Sequence, residues 1–113
     1  MIDLVDDSET YKISHPKGVI FTLRHWIRGK QDEVDQTCII RDANGNFGYN
    51  VAREREIKLD YCLVDWDGIT SKGEPIPCNS ENKRKLPVGV FLWLIQEIDE
   101  RAGLRMRDEE KKS

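Results

Sequence analysis

The sequence predicts an α+β fold: an N-terminal β-hairpin packed on a small bundle of three to four helices. Three observations lead there. Residues 11–14 and 19–23 are rich in β-branched and aromatic side chains, and His15-Pro16-Lys17-Gly18 between them supplies turn chemistry. Residues 52–64 open on Ala-Arg-Glu-Arg-Glu, a strongly helix-favouring run. Residues 88–102 repeat apolar side chains at three- and four-residue spacing. Residues 64–81 join the charged helical segment to the apolar one, so they set the relative placement of the two.

In chain order, residues 1–9 read as a flexible lead-in kept solvated by Asp3, Asp6, Asp7 and Glu9. A single α+β domain is expected over 10–104, followed by a disordered, nearly all-charged tail over 105–113. In the hairpin, Val19, Phe21 and Leu23 share one face, pairing with Tyr11 and Ile13, and that face needs a helix to cover it. Residues 30–39 place Val34 and Cys38 one turn apart amid charge, which fits a helix of three turns or fewer.

Asp42-Ala43-Asn44-Gly45-Asn46 is a tight turn, because Asn-Gly accepts positive φ at low cost. Its flanks, 38–41 and 47–51, read alternatively as a second hairpin. Asn50 suits the N-cap of the next helix. Within that helix Ile57, Tyr61 and Val64 recur at helical spacing, as do Leu59, Leu63 and Trp66, making it a central element. The alternation Ile57, Leu59, Tyr61, Leu63 is the competing strand reading.

Gly68 and Gly73 bracket a hairpin-like bend, and Pro75 and Pro77 hold the chain extended. Asn79 or Ser80 caps a short helix through Glu81-Asn82-Lys83-Arg84-Lys85. Pro87 opens the last helix. There Val88, Phe91, Leu92, Ile95, Ile98 and Ala102 form the expected core stripe, and Gly103 a left-handed cap. Val90, Trp93 and Leu94 fall off that stripe. Either this helix is central to the fold, or Trp93 and its neighbours form a partner surface.

A chain of 113 residues builds one core and buries roughly 60 to 70% of its unfolded surface. Charged residues at 35% against 38% hydrophobic imply a small core under a strongly solvated surface. The net charge of -3 counts against general nucleic-acid binding. Lys83-Arg84-Lys85, with Lys72 before it, could meet phosphate locally, although a solvated helix face is the plainer reading. The apolar run 88–95 is too short to cross a bilayer, and the acidic N-terminus lacks the pattern of a secretory leader, so the expected location is the cytoplasm. Cys38, Cys62 and Cys78 are widely spaced with no Cys-x-x-Cys and read as small buried apolar residues.

No chemistry-bearing constellation emerges. Counted as calcium loops, Asp42 puts Arg53 at position twelve and Asp65 puts Ile76 there, where a bidentate glutamate is required. Both are turns instead. His15 and His25 have no partner at ligand spacing, and no activating motif surrounds a cysteine. No cofactor is expected, and an enzyme is the least favoured class.

The order of features resembles the small tail assembly chaperones of tailed bacteriophages and prophages. The resemblance lies in a charged helix running into Val64-Asp65-Trp66-Asp67-Gly68-Ile69, a Gly-containing bend, Pro75-Ile76-Pro77-Cys78, Asn79-Ser80-Glu81-Asn82, and a Leu- and Trp-bearing helix. It spans 10–103, with about twenty distinctive positions in the middle. Cys78 stands where relatives often carry an aromatic, and the C-terminal tail is short. The resemblance implies a non-enzymatic protein that binds the long helical tape-measure protein and keeps it soluble while tail-tube subunits polymerise around it. Such a role needs apolar anchors rimmed by charge, and Trp66, Phe91, Trp93 and Leu94 are the candidates. For Trp66 and Phe91 the core is the stronger expectation. Tail-tube subunits and further copies of this chain are the other partners to consider. A structural or connector subunit, or a regulatory binding protein, are the rival classes.

Overall fold

The computed structural model describes residues 8–103 together with Met1, Ile2, Leu4 and Asp6; the tail expected over 105–113 lies outside the described residues. The chain runs β1 (Thr10–Ser14), β2 (Ile20–Arg24), α1 (Arg28–Cys38), β3 (Ile39–Arg41), β4 (Phe47–Tyr49), α2 (Val51–Cys62), β5 (Leu63–Asp67), β6 (Thr70–Ser71), β7 (Glu74–Pro75), α3 (Ser80–Lys83) and α4 (Val88–Arg101). The fold is α+β, as the sequence predicts. An antiparallel three-stranded sheet in the order β1-β2-β5 is accompanied by two separate two-stranded hairpins, β3-β4 and β6-β7.

The hairpin β1-β2 forms in the expected register, with Ile13 opposite Phe21 and Tyr11 opposite Leu23. The expected helix over 52–64 takes in Leu63 and Val64, which the structure places in the third strand of this sheet. α2 stops at Cys62, and β5 pairs with β2 instead of extending the helix to Val64. A bulge explains the misreading. Thr22 faces Asp65 but Leu23 faces Leu63, so Val64 is the additional residue. In a regular strand Leu63 and Trp66 would point to opposite faces; the bulge turns both into the core. Three-residue spacing, the signature of a helix, is here the signature of a bulged strand.

α4 is central, because it packs against both α2 and the β1-β2 hairpin. Trp93 lies edge-on against His15, with ring centroids 4.7 Å apart, and tilts toward Phe21 at 6.1 Å. The buried arc is therefore wide and centred on Leu94, Ile95 and Ile98. The expected stripe was rotated: Ile95 and Ile98 are core, Val88 and Leu92 are exposed, and Leu94 is fully buried. Gly103 follows at φ +76°, in the left-handed conformation expected of it.

α1 buries Val34 and Cys38, one turn apart as expected, against the same core as Phe21, Leu59, Cys62 and Leu63. The turn between β3 and β4 is built by Asp42, whose carboxylate accepts from the backbone N–H groups of Asn44 and Asn46 at 2.9 and 2.8 Å. These bonds hold the Asp42 carboxyl below the usual carboxylate range. Asn50 caps α2 through its side-chain oxygen, which accepts from the Arg53 N–H at 3.1 Å.

Candidate protein-binding surface

The most distinctive stretch of the sequence, 64–82, is a bracket. β5 ends at Asp67, and the φ of +103° at Gly68 after it excludes most side chains; a Cβ there would lie 3.2 Å from the Gly18 carbonyl oxygen. The bend after β5 therefore rests directly on the β1-β2 turn. Lys72 and Gly73, at φ +53° and +83°, join β6 to β7. The returning chain is then tied down. Ile76 donates its N–H to the Ile69 carbonyl at 3.3 Å and accepts from the Trp66 indole N–H at 2.8 Å. Asn79 caps α3 by accepting from the Asn82 N–H at 2.8 Å, and the Asn82 amide donates to the Pro77 carbonyl at 2.9 Å. Trp, Gly, Pro and Asn in this stretch set backbone geometry.

The four candidate anchors divide accordingly. Trp66 is buried with its N–H satisfied, and Leu94, at 0% exposure, sits in the middle of the core. Neither side chain is available to a partner in this fold, because the bulge in β5 and the wide buried arc of α4 turn them inward. Trp93 is half-buried against His15 and Phe21. Phe91 is half-buried and lines a cleft with Leu59, Leu86 and Val88. The four do not form one patch.

Apolar surface is found elsewhere. Every residue of β3 and β4 is exposed, including Ile39 (51%), Ile40 (50%) and Phe47 (68%). Cross-strand pairing places Ile39, Tyr49, Arg41 and Phe47 on one face of this hairpin and Ile40 on the other, opposite Gly48. The Arg41 guanidinium lies over the Phe47 ring, 4.6 Å from its centroid. The Tyr49 hydroxyl donates to Asp35 at 3.1 Å, anchoring the base of the hairpin to α1. Exposed apolar residues continue onto the helices with Val51, Val88 (71%) and Leu92. The sequence contained the signal, Ile-Ile-Arg around an Asn-Gly turn before Phe-Gly-Tyr, but not the fact that no other element among the described residues covers it.

Lys58 and Lys83 are buried cations, and of the two only Lys58 is paired with carboxylates among the described residues. Lys58 on α2, 2% exposed, donates to Glu54 at 3.1 Å and to Asp99 of α4 at 2.7 Å, with its ammonium 5.5 Å from the centroid of the Trp26 ring. One turn on, burial pushes the Cys62 thiol up to about 12. Lys83 reaches the Asp60 carbonyl at 3.3 Å, so one member of the basic run is a structural tie between α3 and α2. Among the described residues no three His, Cys, Asp or Glu side chains cluster as metal ligands would, and no helix is long and apolar enough to cross a membrane.

No protein-family model, curated protein or solved structure matches the chain.

Proposed function

We propose that this protein is a non-enzymatic tail assembly chaperone of a tailed bacteriophage or prophage, acting in the host cytoplasm by binding the tape-measure protein. The observation that favours a binding role is the β3-β4 hairpin. Phe47, Ile39 and Ile40 are large apolar side chains displayed to solvent on a two-stranded arm, at a cost in solubility that a covering partner removes. The resemblance in residues 64–82 supplies the identity of the partner. Those residues support the reading by resemblance in sequence, while the hairpin supplies the contact.

Mechanistically, an exposed apolar arm masks apolar stretches of a long chain by replacing water along them, and the affinity comes from the few side chains that become fully buried. Phe47, stiffened by the Arg41 guanidinium above it, is the best-organised anchor. Co-expression with the tape-measure protein of the same phage or prophage tests the reading: the partner is expected to become soluble and to co-purify with this chain. A partner that stays insoluble and forms no complex overturns it in favour of a structural subunit, which would then be recovered in finished particles.

A further inference from the structure

We infer that this protein forms a two-fold symmetric dimer in which the β4 strands of two copies pair antiparallel, with Gly48 on the axis. Hydrogen bonds across β3-β4 alternate along the hairpin. Asn50 donates to the Cys38 carbonyl at 2.8 Å and Asp42 donates to the Asn46 carbonyl at 3.0 Å, with Ile40 opposite Gly48 between them. This alternation turns the N–H and C=O groups of Phe47 and Tyr49 away from β3. They have no backbone partner among the described residues, so the outer edge of β4 is open to another strand. Gly48 marks the place where that strand comes close. Its φ is outside the left-handed region and a Cβ there would meet nothing within 4 Å, so no described residue requires a glycine at this position. Glycine inside a strand weakens it, and is found where a second backbone approaches closely.

A second copy suits this edge because Phe47-Gly48-Tyr49 is its own complement. On a two-fold axis through Gly48, Phe47 lies opposite the partner's Tyr49 and exchanges N–H···O bonds with it, and the axis repeats the exchange. Aromatic faces aromatic twice, a favourable cross-strand pair. The two Gly48 residues form the unbonded pair between them, with Cα atoms about 4.5 Å apart. The same operation on β3 sets Ile39 against the partner's Arg41, a poorer match. Pairing β4 with the partner's β3 does not close and leads to open chains. Charge favours the same arrangement. Antiparallel pairing brings the turn of each hairpin toward the start of the partner's α2. Asp42 is the one charged residue of that turn, and α2 opens with the positive end of its dipole and Arg53, while Glu54 beside it is already paired with Lys58. The faces of both hairpins stay uncovered, so the dimer joins two apolar arms into one four-stranded sheet.

Three residues per strand make a small contact beside the roughly 1,200–2,000 Å² of stable complexes, so a weak dimer is expected, with Kd on the order of 10–100 µM. Sedimentation equilibrium of the full chain across about 5–500 µM measures it. Gly48→Lys and Gly48→Glu each set like charges face to face on the axis, at a position that is open within one copy. Each is expected to weaken the dimer at least about fivefold. Mixed in equal amounts, the two variants should restore it, because a Lys and a Glu then meet across the axis. Circular dichroism melts show that the variants remain folded. In the parent protein, hydrogen exchange at the Phe47 and Tyr49 amides should slow as concentration rises. A monomer throughout the range, open-ended assembly, exchange independent of concentration, variants that dimerise like the parent, or a mixture that stays monomeric overturns the inference. None of these readouts involves the tape-measure protein, so the dimer and the chaperone reading fail independently.

Discussion

The indole N–H of Trp66 donates to the carbonyl oxygen of Ile76 at 2.8 Å, closing the loop of 64–82 into a bracket between the sheet and α4. Trp66 also packs in the core beside Phe21 and Leu63. Its two roles are separable by substitution. Trp66→Phe keeps most of the apolar volume but leaves the Ile76 carbonyl without its donor, an expected loss of about 1–3 kcal/mol. Trp66→Ala removes the packing as well, and about 3–5 kcal/mol is expected. Urea titrations of both variants against the parent protein measure the difference.

Gly68 and Lys72 make opposite predictions about the same bend. Gly68→Ala puts a Cβ 3.2 Å from the Gly18 carbonyl at a φ of +103°, so a loss of more than about 1 kcal/mol is expected. Lys72 occupies a left-handed position, φ +53°, that asparagine tolerates better. Lys72→Asn should raise stability by about 0.5 kcal/mol. Thermal melts on the two single variants give the sign of each.

Lys58 holds α2 to α4 through Asp99, and Glu54 completes the cluster. Lys58→Ala leaves two largely buried carboxylates without their cation, and a loss of about 3–5 kcal/mol is expected. The triple replacement Lys58→Met, Glu54→Gln, Asp99→Asn removes the charges together and should recover most of that loss. A double-mutant cycle on Lys58 and Asp99, followed by denaturant unfolding, reports the coupling.

Burial raises the thiol of Cys62 to about 12 and the phenol of Tyr11 to about 12, from ordinary values near 9 and 10. The folded protein therefore keeps protons that the unfolded chain releases first. The stability these groups contribute is fully present below about pH 9 and declines as pH rises from there toward 12. Unfolding midpoints should fall between pH 9 and pH 11, and Cys62→Ala should flatten the fall. With a thiol reagent at pH 8, the half-buried Cys78 should react first, while Cys38 and Cys62 should react only on unfolding.

Much of this fold was legible in the residues. The β1-β2 hairpin, the Val34 and Cys38 pair, the Asn50 and Asn79 caps and the Gly103 terminus all rest on local chemistry that short-range reasoning reaches. What escaped it depends on neighbours distant in sequence. Leu63 and Val64 read as the last residues of a helix, since the Ala-Arg-Glu-Arg-Glu run favours one and the bulge gives Leu63 and Trp66 a helical spacing; only pairing with β2 reveals the strand. The buried face of α4 is rotated from the expected stripe, because a helix that meets both a sheet and another helix buries a wider arc than one apolar stripe describes. The candidate surface depends on distant neighbours too: the flanks 38–41 and 47–51 read as a possible hairpin, but only the fold shows Ile39, Ile40 and Phe47 exposed, with no described element over them. Of the anchors named from the sequence, Phe91 alone lines the cleft formed with Leu59, Leu86 and Val88.

The most direct measurement is the solubility of the tape-measure protein co-expressed with this chain, compared with Ile40→Ser and Phe47→Ser combined. Both replaced side chains are exposed on the hairpin, so the variant should match the parent in stability to within about 0.5 kcal/mol. The account predicts a soluble, co-purifying complex with the parent protein and its loss with the variant. A tape-measure protein that remains insoluble beside the parent, or one held equally well by the variant, would contradict it.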